Sequence, residues 1–407
     1  MTIRILFLMR DPLPPFRADV QILFGKYLPR LAIFSDILGQ KDPNYTGDIN
    51  WPAGKTIIAG AEHKGILAEF IRPFLDGMAL LKHHDAFDII QVRDKIRTAI
   101  FAWAYARWHK KPFVYWMSFP FVEGFEITAR NRQQPSFIMK LADHIRINAS
   151  RYLFYNWVLP KADHIFVQSD AMRDWLIEKG FNSQHMTAVP MGVDLEKFKR
   201  DRIIPSDDAR LQNRRIIIYA GSISKSRHSD FLLDLTIAIK KHQPSILLIL
   251  AGDAPSIEEQ QWIREEISQR DLHDYVFLTG WLSQDQMLGY IIRAEVGLSP
   301  IPRGELFDVS SPTKLIEYLA LGLPAVANDI PDQKLVIEQS LAGLCVPMEI
   351  NAFRDAVLKL LQDPAFHRQC TEKGPAFINS NRTYAVIAEK VACVYQTVLK
   401  RTTFIQQ

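Results

Sequence analysis

Residues 308–324 read Asp308-Val-Ser-Ser-Pro-Thr-Lys-Leu-Ile-Glu-Tyr-Leu-Ala-Leu-Gly-Leu-Pro324. This segment predicts a helix with defined ends, because Ser311 suits the N-cap, Pro312 suits the first helical position, and Gly322 with Pro324 stops the helix. An apolar strand, Ala325-Val-Ala327, follows at once. A strand–loop–helix–strand unit is the building block of a parallel sheet with helical connections. We therefore expect an α/β fold around this segment.

The start of the same helix can bind an anion. Its first backbone N–H groups, the hydroxyls of Ser310 and Ser311, and the Lys314 ammonium together suit a diphosphate. Glu317, three residues after Lys314, lies on the same face and can accept two hydrogen bonds from a ribose diol. A well-capped surface helix with a Lys–Glu pair explains these residues equally well.

Apolar runs elsewhere alternate with amphipathic stretches, as in βα units. The predicted strands are 3–9, 55–59, 88–93, 112–117, 163–168 and 185–189, then 215–220, 245–251, 275–279, 295–299, 324–327 and 342–346. The polar, charged stretch between the two series is typical of a linker. We predict doubly wound domains over 1–195 and 214–383, a linker over 196–213, and a C-terminal helix over 384–407 that can cross back to the first domain. Two such domains facing each other would form a cleft for two substrates.

Composition excludes several other classes. The 407 residues are 48% hydrophobic and 23% charged, which is enough apolar surface for two cores and argues against disorder. Three widely spaced cysteines argue against disulfides or zinc and for a reducing, cytoplasmic setting. We expect no nucleic acid partner, signal peptide or membrane span, and no metal at His83-His84-Asp85, where no third ligand has suitable spacing.

Three further strand ends carry glycine turns. Glycine lets the backbone approach a phosphate, and arginine offers a forked pair of donors. Each turn alone is a weak signal, but on one sheet edge they would line a nucleotide pocket. The residues that they contribute are Gly221, Ser222, Lys225, Arg227, Gly252, Asp253, Thr279, Gly280 and Trp281.

Together these motifs resemble the retaining GT-B glycosyltransferases of family 4, which consist of two Rossmann-like domains. Val189-Pro-Met-Gly-Val-Asp-Leu-Glu-Lys-Phe198 resembles the interdomain signature, and residues 311–318 resemble the branch with a Ser-Pro-x-Lys-Leu-x-Glu-Tyr helix. The resemblance covers the second domain and, more loosely, the first. It implies metal-independent, cofactor-free transfer of a hexose or N-acetylhexosamine from a nucleotide-diphosphate sugar on the second domain. The acceptor would be a hydroxyl of a glycan or lipid-linked glycan on the first domain, as in polysaccharide biosynthesis.

The resemblance also implies roles for individual residues. Glu317 would bind the ribose, Arg227 and Lys314 the diphosphate, and the turn at 279–281 would lie near the base. The donor site would further include Gly221, Ser222, Gly252, Asp253, Ser310, Ser311 and Pro312. Several positions differ from the family pattern. Among them, the first of its paired glutamates is replaced by Val309, so that Glu305 or Asp308 would substitute, and its glycine after the phosphate-binding cation is His228.

On the acceptor side we predict Arg17, Arg93, Asp94 and Ser118. An Arg–Asp ion pair that stabilises the loop explains Arg93 and Asp94 as well. Two other functions also stay open: a catalytically idle paralogue that binds a nucleotide sugar and acts through a partner, and a nucleotide-sugar epimerase.

The stretch from Arg130 to Lys161 interleaves basic and aromatic residues. Such a helix suits the surface of an anionic bilayer, which would place the protein at the inner face of the cell membrane. The alternative is an ordinary amphipathic helix whose apolar side packs on the sheet.

Overall fold

The computed structural model describes residues 2–62, 68–83, 85–132 and 136–406. The chain divides into two compact units, the first made of Met1–Pro190 with Tyr384–Gln407 and the second of Met191–Thr383. Each unit has its own parallel sheet and its own hydrophobic core.

The first unit is built on seven strands. They are β1 (Ile3–Met9), β2 (Ile33–Lys41), β3 (Thr56–Ala61), β4 (Ile89–Arg93), β5 (Phe113–Met117), β6 (His164–Val167) and β7 (Met186–Ala188). All are parallel, in the order β3-β2-β1-β4-β5-β6-β7. The order reverses between β1 and β4, which is the point where doubly wound sheets bind ligands.

The second unit repeats this plan with six strands. They are β8 (Arg215–Ala220), β9 (Ile246–Ala251), β10 (Val276–Gly280), β11 (Val296–Ser299), β12 (Ala325–Asn328) and β13 (Gly343–Val346). The parallel order is β10-β9-β8-β11-β12-β13, so the reversal falls between β8 and β11. This is the two-domain GT-B architecture that we expected.

Helices connect the strands of the first unit. Its α-helices are α1 (Leu28–Arg30), α2 (Ala68–Leu81), α3 (Thr98–Trp108), α4 (Phe121–Arg130), α5 (Phe137–Leu153), α6 (Leu159–Lys161) and α7 (Asp170–Glu178), with π-helical turns at Asp19–Tyr27 and Phe154–Val158. The second unit contains α8 (Asp230–Lys240), α9 (Ile257–Gln269), α10 (Gln284–Ile291), α11 (Thr313–Ala320), α12 (Pro331–Ser340), α13 (Ile350–Gln362) and α14 (Pro364–Asn381). Short 3₁₀ turns lie at Ser183–His185, Arg200–Arg202, Ala209–Leu211 and Lys225–Arg227.

The last helix, α15 (Tyr384–Gln406), belongs to the core of the first unit. Tyr395 is fully buried, packs on the Phe166 ring at 5.3 Å between centroids, and donates a hydrogen bond to Gln91. Lys390 reaches the backbone carbonyl of Ala188 at 2.9 Å. The two ends of the sequence therefore build one domain.

All twelve strands that we predicted are present, and the structure adds one, β2. Sequence reasoning missed β2 because polar residues interrupt its apolar pattern. Tertiary partners satisfy those residues: Asp36 accepts the Lys55 backbone N–H at 2.7 Å, and Gln40 donates to Asp76 at 2.7 Å. Buried polar groups with partners are compatible with a central strand.

The linker that we expected over 196–213 is part of the second unit instead. Phe198 and Leu211 are buried in its core, and Arg200 donates to the Leu321 carbonyl at 2.7 Å. The segment looked like a linker because most of its residues are polar, while two apolar side chains anchor it.

Helix α11 begins one residue later than predicted, at Thr313, with Pro312 at the N-cap. The Ser311 hydroxyl instead donates to Asp332 at 2.7 Å and accepts the Met191 N–H at 3.0 Å. Asp332 also forms a buried ion pair with Arg382. These contacts tie the start of α11 to α12 and to the end of α14.

Among the described residues, no helix combines the length and the apolar character that crossing a bilayer requires.

We expect Asp332→Ala to lower the free energy of unfolding by about 3–5 kcal/mol, because it leaves the buried Arg382 guanidinium without a counter-charge. Asp355→Ala is the matched control, since Asp355 is exposed beside Arg354 and such a pair contributes less than about 1 kcal/mol. Urea unfolding of both variants measures the difference. Equal losses would show that the buried pair adds no more than the exposed one.

Candidate functional site

The predicted donor residues meet at the carboxyl edge of the second sheet. Gly221 follows β8, Gly252 follows β9, Gly280 ends β10, and α11 begins beyond β11. The Gly221 N–H donates to the Ala251 carbonyl at 3.0 Å, and Gly252 bridges to Gly280. This edge contains the switch point between β8 and β11, where a ligand is expected.

Two glycine turns let the backbone and a cation approach closely. A Cβ atom at Gly252 would lie 2.2 Å from the Gly221 carbonyl oxygen, so only glycine fits there. A Cβ atom at Gly221 would lie 3.4 Å from Cε of Lys314. Both glycines have positive φ, at 149° and 150°. The turns therefore bring the backbone directly against the Lys314 side chain.

Lys314 supplies a buried positive charge at this edge. Its side chain is 9% exposed, and its ammonium lies 4.1 Å from the centre of the Tyr219 ring. Burial lowers the pKa of Lys314, and the nearby phenol of Tyr219 opposes that shift. A cation that has lost much of its hydration gains strongly from an anionic ligand.

Arg227 adds a second cation. It ends the 3₁₀ turn Lys225–Arg227, its guanidinium lies 5.4 Å from the centre of the Phe307 ring, and its charge further lowers the pKa of Lys314. The next residue, His228, has a φ of 51°, in the left-handed region that favours glycine. This conformation explains why glycine suits that position in the family motif that this segment resembles.

Glu317 follows Lys314 by about one turn of α11. Burial raises the pKa of Glu317 to about 7, and the positive charge of Lys314 partly opposes the rise. A carboxylate that is partly shielded from water can accept hydrogen bonds from donors that a ligand brings. Its placement suits the ribose contact that we predicted.

The hydroxyls of Ser310 and Ser311 are engaged within the protein. Ser310 donates to the Phe307 carbonyl at 2.6 Å, and Ser311 donates to Asp332. Neither hydroxyl hydrogen is left for a diphosphate, contrary to the arrangement that we expected. The two cations and the backbone N–H groups at the start of α11 remain as donors.

The two candidates for the missing first glutamate differ in their surroundings. Asp308 accepts hydrogen bonds from Arg303 at 2.8 Å and from the Gly304 N–H at 3.3 Å. Glu305 is exposed, and Val309 is buried. Glu305 is therefore the carboxylate that a ligand can reach more easily.

The other turn residues divide into supporting and exposed groups. Thr279 accepts the Gly252 N–H at 3.2 Å and donates to the Gly280 carbonyl at 2.8 Å. Asp253 accepts from the Ala254 N–H at 2.8 Å. These two side chains shape the turns. Trp281 is 78% exposed, and an exposed indole can stack on a base.

Ser222 at the neighbouring turn is also exposed.

The residues predicted for the acceptor lie at the switch point of the first sheet. Arg17 is exposed and pairs with Asp11 at 3.1 Å. Arg93 is 1% exposed and also pairs with Asp11, while Asp94 accepts the Ser118 N–H at 2.9 Å and the Ser118 hydroxyl. This network fits the alternative that Arg93 and Asp94 stabilise the loop after β4. A direct contact with an acceptor stays a prediction.

Sequence reasoning missed two tyrosines of the second unit. Tyr219 is the penultimate residue of β8 and lies against the Lys314 ammonium. Tyr318 on α11 is fully buried, and its hydroxyl accepts the Ala220 N–H at 2.7 Å, which fixes α11 against β8. Both were visible in the sequence, since Tyr318 lies within the segment 308–324 and Tyr219 lies two residues before Gly221.

The structure does supply the third ligand that the sequence lacked beside His83 and Asp85. One oxygen or nitrogen atom each of Asp36, His83 and Asp85 lies within 4.8 Å of the others. The Lys55 ammonium already binds Asp85 at 2.8 Å and lowers the pKa of that carboxyl. A cation of the protein thus neutralises one of the two carboxylates of this cluster. His84 lies outside the described residues.

Two family profiles match the chain, one for each unit. Residues 57–197 match the profile described as Glycosyltransferase Family 4, and residues 214–363 match Glycosyl transferases group 1. Together they cover more than two thirds of the sequence. The chain therefore belongs to the glycosyltransferases with the GT-B fold.

Individual relatives are distant. The alpha-D-kanosaminyltransferase of Streptomyces kanamyceticus is 23% identical over 189 residues, which are 46% of this chain and 47% of that protein. The chain spans about half the length of the curated relatives that it matches.

Solved structures match over nearly the whole fold. Sucrose-phosphate synthase from Thermosynechococcus elongatus has a TM-score of 0.73 at 18% identity, covering 98% of this chain and 100% of that one. Anabaena HepE in complex with UDP and glucose has a TM-score of 0.68 at 14% identity, covering 97% and 100%. These similarities establish the fold.

The raised pKa of Glu317 predicts a pH-dependent stability. The folded protein holds this proton more tightly than the unfolded chain, whose glutamate titrates near 4.5. The stabilisation is complete below about pH 4.5 and is lost as the pH rises to about 7, by up to about 1.4 kcal/mol per pH unit. We expect Glu317→Gln to abolish this slope, measured by urea unfolding between pH 4.5 and 7.5. Glu338→Gln, at an exposed site on α12, should keep it.

Proposed function

We propose that the protein transfers a sugar from a nucleotide-diphosphate sugar to a hydroxyl group of a glycan or lipid-linked glycan, with retention of anomeric configuration. The transferred sugar would be a hexose or an N-acetylhexosamine. The observation that carries the proposal is the buried Lys314 ammonium, which lies against the Gly221 turn and within electrostatic reach of Arg227 and Glu317. HepE, which shares the fold, binds UDP and glucose, which supports a donor of this class.

The donor's charge matches the charges of this edge. A diphosphate brings negative oxygens to Lys314 and Arg227, and the start of α11 adds the positive end of a helix dipole. The ribose would donate to Glu317, and the base would stack on exposed Trp281. Ribose hydroxyls favour the ionised carboxylate, so donor binding would lower the pKa of Glu317.

The same charges would stabilise the departing diphosphate. The bond between the anomeric carbon and the phosphate oxygen breaks, and the acceptor oxygen bonds to that carbon on the same face. The released phosphate oxygen takes the acceptor proton, so no side-chain base and no metal are needed. Lys314 and Arg227 act on charge that grows as the bond breaks, which lowers the barrier.

Nucleotide binding tests the assignment. We expect Lys314→Ala and Arg227→Ala each to weaken UDP at least about tenfold while changing uridine little, because only UDP carries the charge that they compensate. Glu317→Ala should weaken both ligands, since both carry the ribose. Calorimetric titration measures these affinities, and Lys334→Ala, at an exposed residue of α12, is the control. Equal losses for UDP and uridine in the cation variants would contradict the diphosphate assignment.

Turnover tests the reaction itself. A panel of UDP-, GDP-, ADP- and TDP-sugars is assayed for donor hydrolysis and for transfer. A transferase slowly hydrolyses its donor without an acceptor. Tight binding of a nucleotide sugar with no hydrolysis and no transfer would instead favour the idle paralogue, and isomerisation of the donor would favour the epimerase.

We propose further that α5 rests on an anionic membrane at its cytoplasmic side. Most large apolar residues of α5 are exposed, so the alternative of a core-facing helix fits them poorly. Lys140 is exposed among them, whereas Arg132 and Arg151 are neutralised by Asp143 and Glu126. The large exposed apolar residues, with their exposed fractions, are Phe137 79%, Ile138 77%, Met139 44%, Leu141 49%, Ile145 58% and Tyr152 69%.

Vesicle binding tests this contact. Replacing Phe137 and Ile138 together with Ser should lower co-sedimentation with phosphatidylglycerol vesicles strongly, because buried apolar area then disappears. Lys140→Gln should lower it by about fivefold at low salt and less at high salt, since an ionic contact contributes about 1 kcal/mol and is screened. Ile204→Ser changes an apolar residue of the second unit that is 86% exposed and should have no effect. If the wild-type protein does not co-sediment with such vesicles at low salt, the proposal is contradicted.

A further inference from the structure

A small cavity opens at the switch point of the first sheet. Its volume is about 90 Å³, enough for a few non-hydrogen atoms and too small for a sugar ring with its substituents. Arg10 directly follows β1, and Asp94 and Lys95 directly follow β4, so the carboxyl ends of the two central strands form its floor. Arg72 and Arg97 also line it.

The positive charges of this cavity are unequally neutralised. The Lys95 ammonium is fully used, since it donates to both oxygens of Asp76 at 2.8 and 2.9 Å and to Gln40 at 2.9 Å. Arg72 pairs with Glu62 at 3.2 Å. In the part of the chain that the structure describes, Arg10 forms no ion pair with a carboxylate.

Two aromatic rings hold the Arg10 guanidinium instead. It lies 3.8 Å from the centre of the Phe121 ring and 5.9 Å from that of Phe125, both on α4. Stacking on these rings leaves the in-plane N–H groups of the fork free to point at a ligand. The guanidinium is thus pre-positioned, and little side-chain entropy is lost when a ligand binds.

The charges around Arg10 favour an anionic ligand. Burial lowers the pKa of Arg10 and the charge of Arg72 lowers it further, while the charges of Asp94 and Asp11 oppose this shift only in part. Asp94 is itself shared with Arg93 and with both donors of Ser118. The charge of Arg10, together with that of Arg72 beside its pair with Glu62, favours an anionic ligand in this small cavity. A phosphate monoester carries about two negative charges and matches the arginine fork, whereas a carboxylate carries one.

We propose that this cavity binds a phosphoryl group of the acceptor, with Arg10 as its main ligand and Arg72 in support. The inference rests on the proposed function and names a chemical class for the acceptor: a molecule that carries phosphate near the hydroxyl that is glycosylated. The phosphate belongs either to a soluble sugar phosphate or to a lipid headgroup. Ser150 of α5 borders the cavity, so the helix with the exposed apolar residues reaches the same place.

Calorimetric titrations of the full chain test the site, with UDP present at saturating concentration. The probes are inorganic phosphate, glycerol 3-phosphate as a soluble monoester, and dihexanoyl phosphatidic acid as a dispersed headgroup. We expect Arg10→Gln to weaken the binding of these probes at least about tenfold, because a charge-assisted bidentate contact is lost. Arg10→Lys, which keeps the charge but not the fork, should lie between Arg10→Gln and wild type. Arg173→Gln on α7, an exposed arginine paired with two aspartates, should bind like wild type.

The outcomes separate the site from the function. Tighter binding of phosphatidic acid than of glycerol 3-phosphate, lost in Arg10→Gln, supports the site and assigns it to a lipid acceptor; the reverse order, lost in the same variant, supports a soluble acceptor. Equal affinity of wild type and Arg10→Gln for all three probes, with UDP affinity intact, overturns the phosphate site and leaves the proposed transferase standing. Loss of phosphate binding in Arg10→Gln in a protein that binds no nucleotide sugar supports the site and contradicts the transferase.

Discussion

The Lys314 ammonium has been taken out of water at the carboxyl edge of the second sheet. Removing a cation from water costs several kcal/mol, and the neighbours of Lys314 return only part of that cost. The Tyr219 ring offers its negative face at 4.1 Å, and Glu317 lies within one turn of α11 but titrates near 7. An anionic ligand would neutralise the resulting positive potential. The glycine turns and the start of α11 are arranged around this charge.

A second set of contacts keeps this charge in place. The hydroxyl of Ser311 connects the start of α11 to Asp332, and Asp332 is held by Arg382 at the end of α14. On the other side, the Tyr318 hydroxyl accepts the Ala220 N–H and fixes α11 against β8. Buried hydrogen bonds of this kind permit little movement, because an unpaired polar group inside the protein is costly. Ser311, which we expected to bind a ligand, thus positions the start of α11 through Asp332.

The two units repeat one physical arrangement. Each has a parallel sheet whose strand order reverses at the centre. At each reversal, a cation lies near the carboxyl end of the unit's first strand, β1 or β8. In the second unit it is Lys314 against Tyr219, and in the first it is Arg10 against Phe121. Both cations lie on aromatic rings, and burial lowers the pKa of both. An aromatic face holds a cation without neutralising it, which leaves its charge available to a ligand.

The sequence alone determined the local structure and the residue types at the carboxyl edge of the second sheet. Twelve strands followed from apolar runs, because burial on both faces of a parallel sheet requires them, and glycine, lysine and glutamate marked the edge because few other residues permit that backbone and charge. Only the tertiary structure decided which polar groups find partners. β2 is a strand because a distant backbone donor satisfies Asp36, and residues 196–213 join a core because Phe198 and Leu211 pack into it. Ser311 is engaged within the protein because Asp332 accepts its hydrogen bond. Arg10 is the opposite case, since nothing in its sequence surroundings distinguishes it from a solvated arginine. Its unneutralised charge depends on the positions of Phe121, Arg72 and Asp94, which residues far apart in the chain bring together.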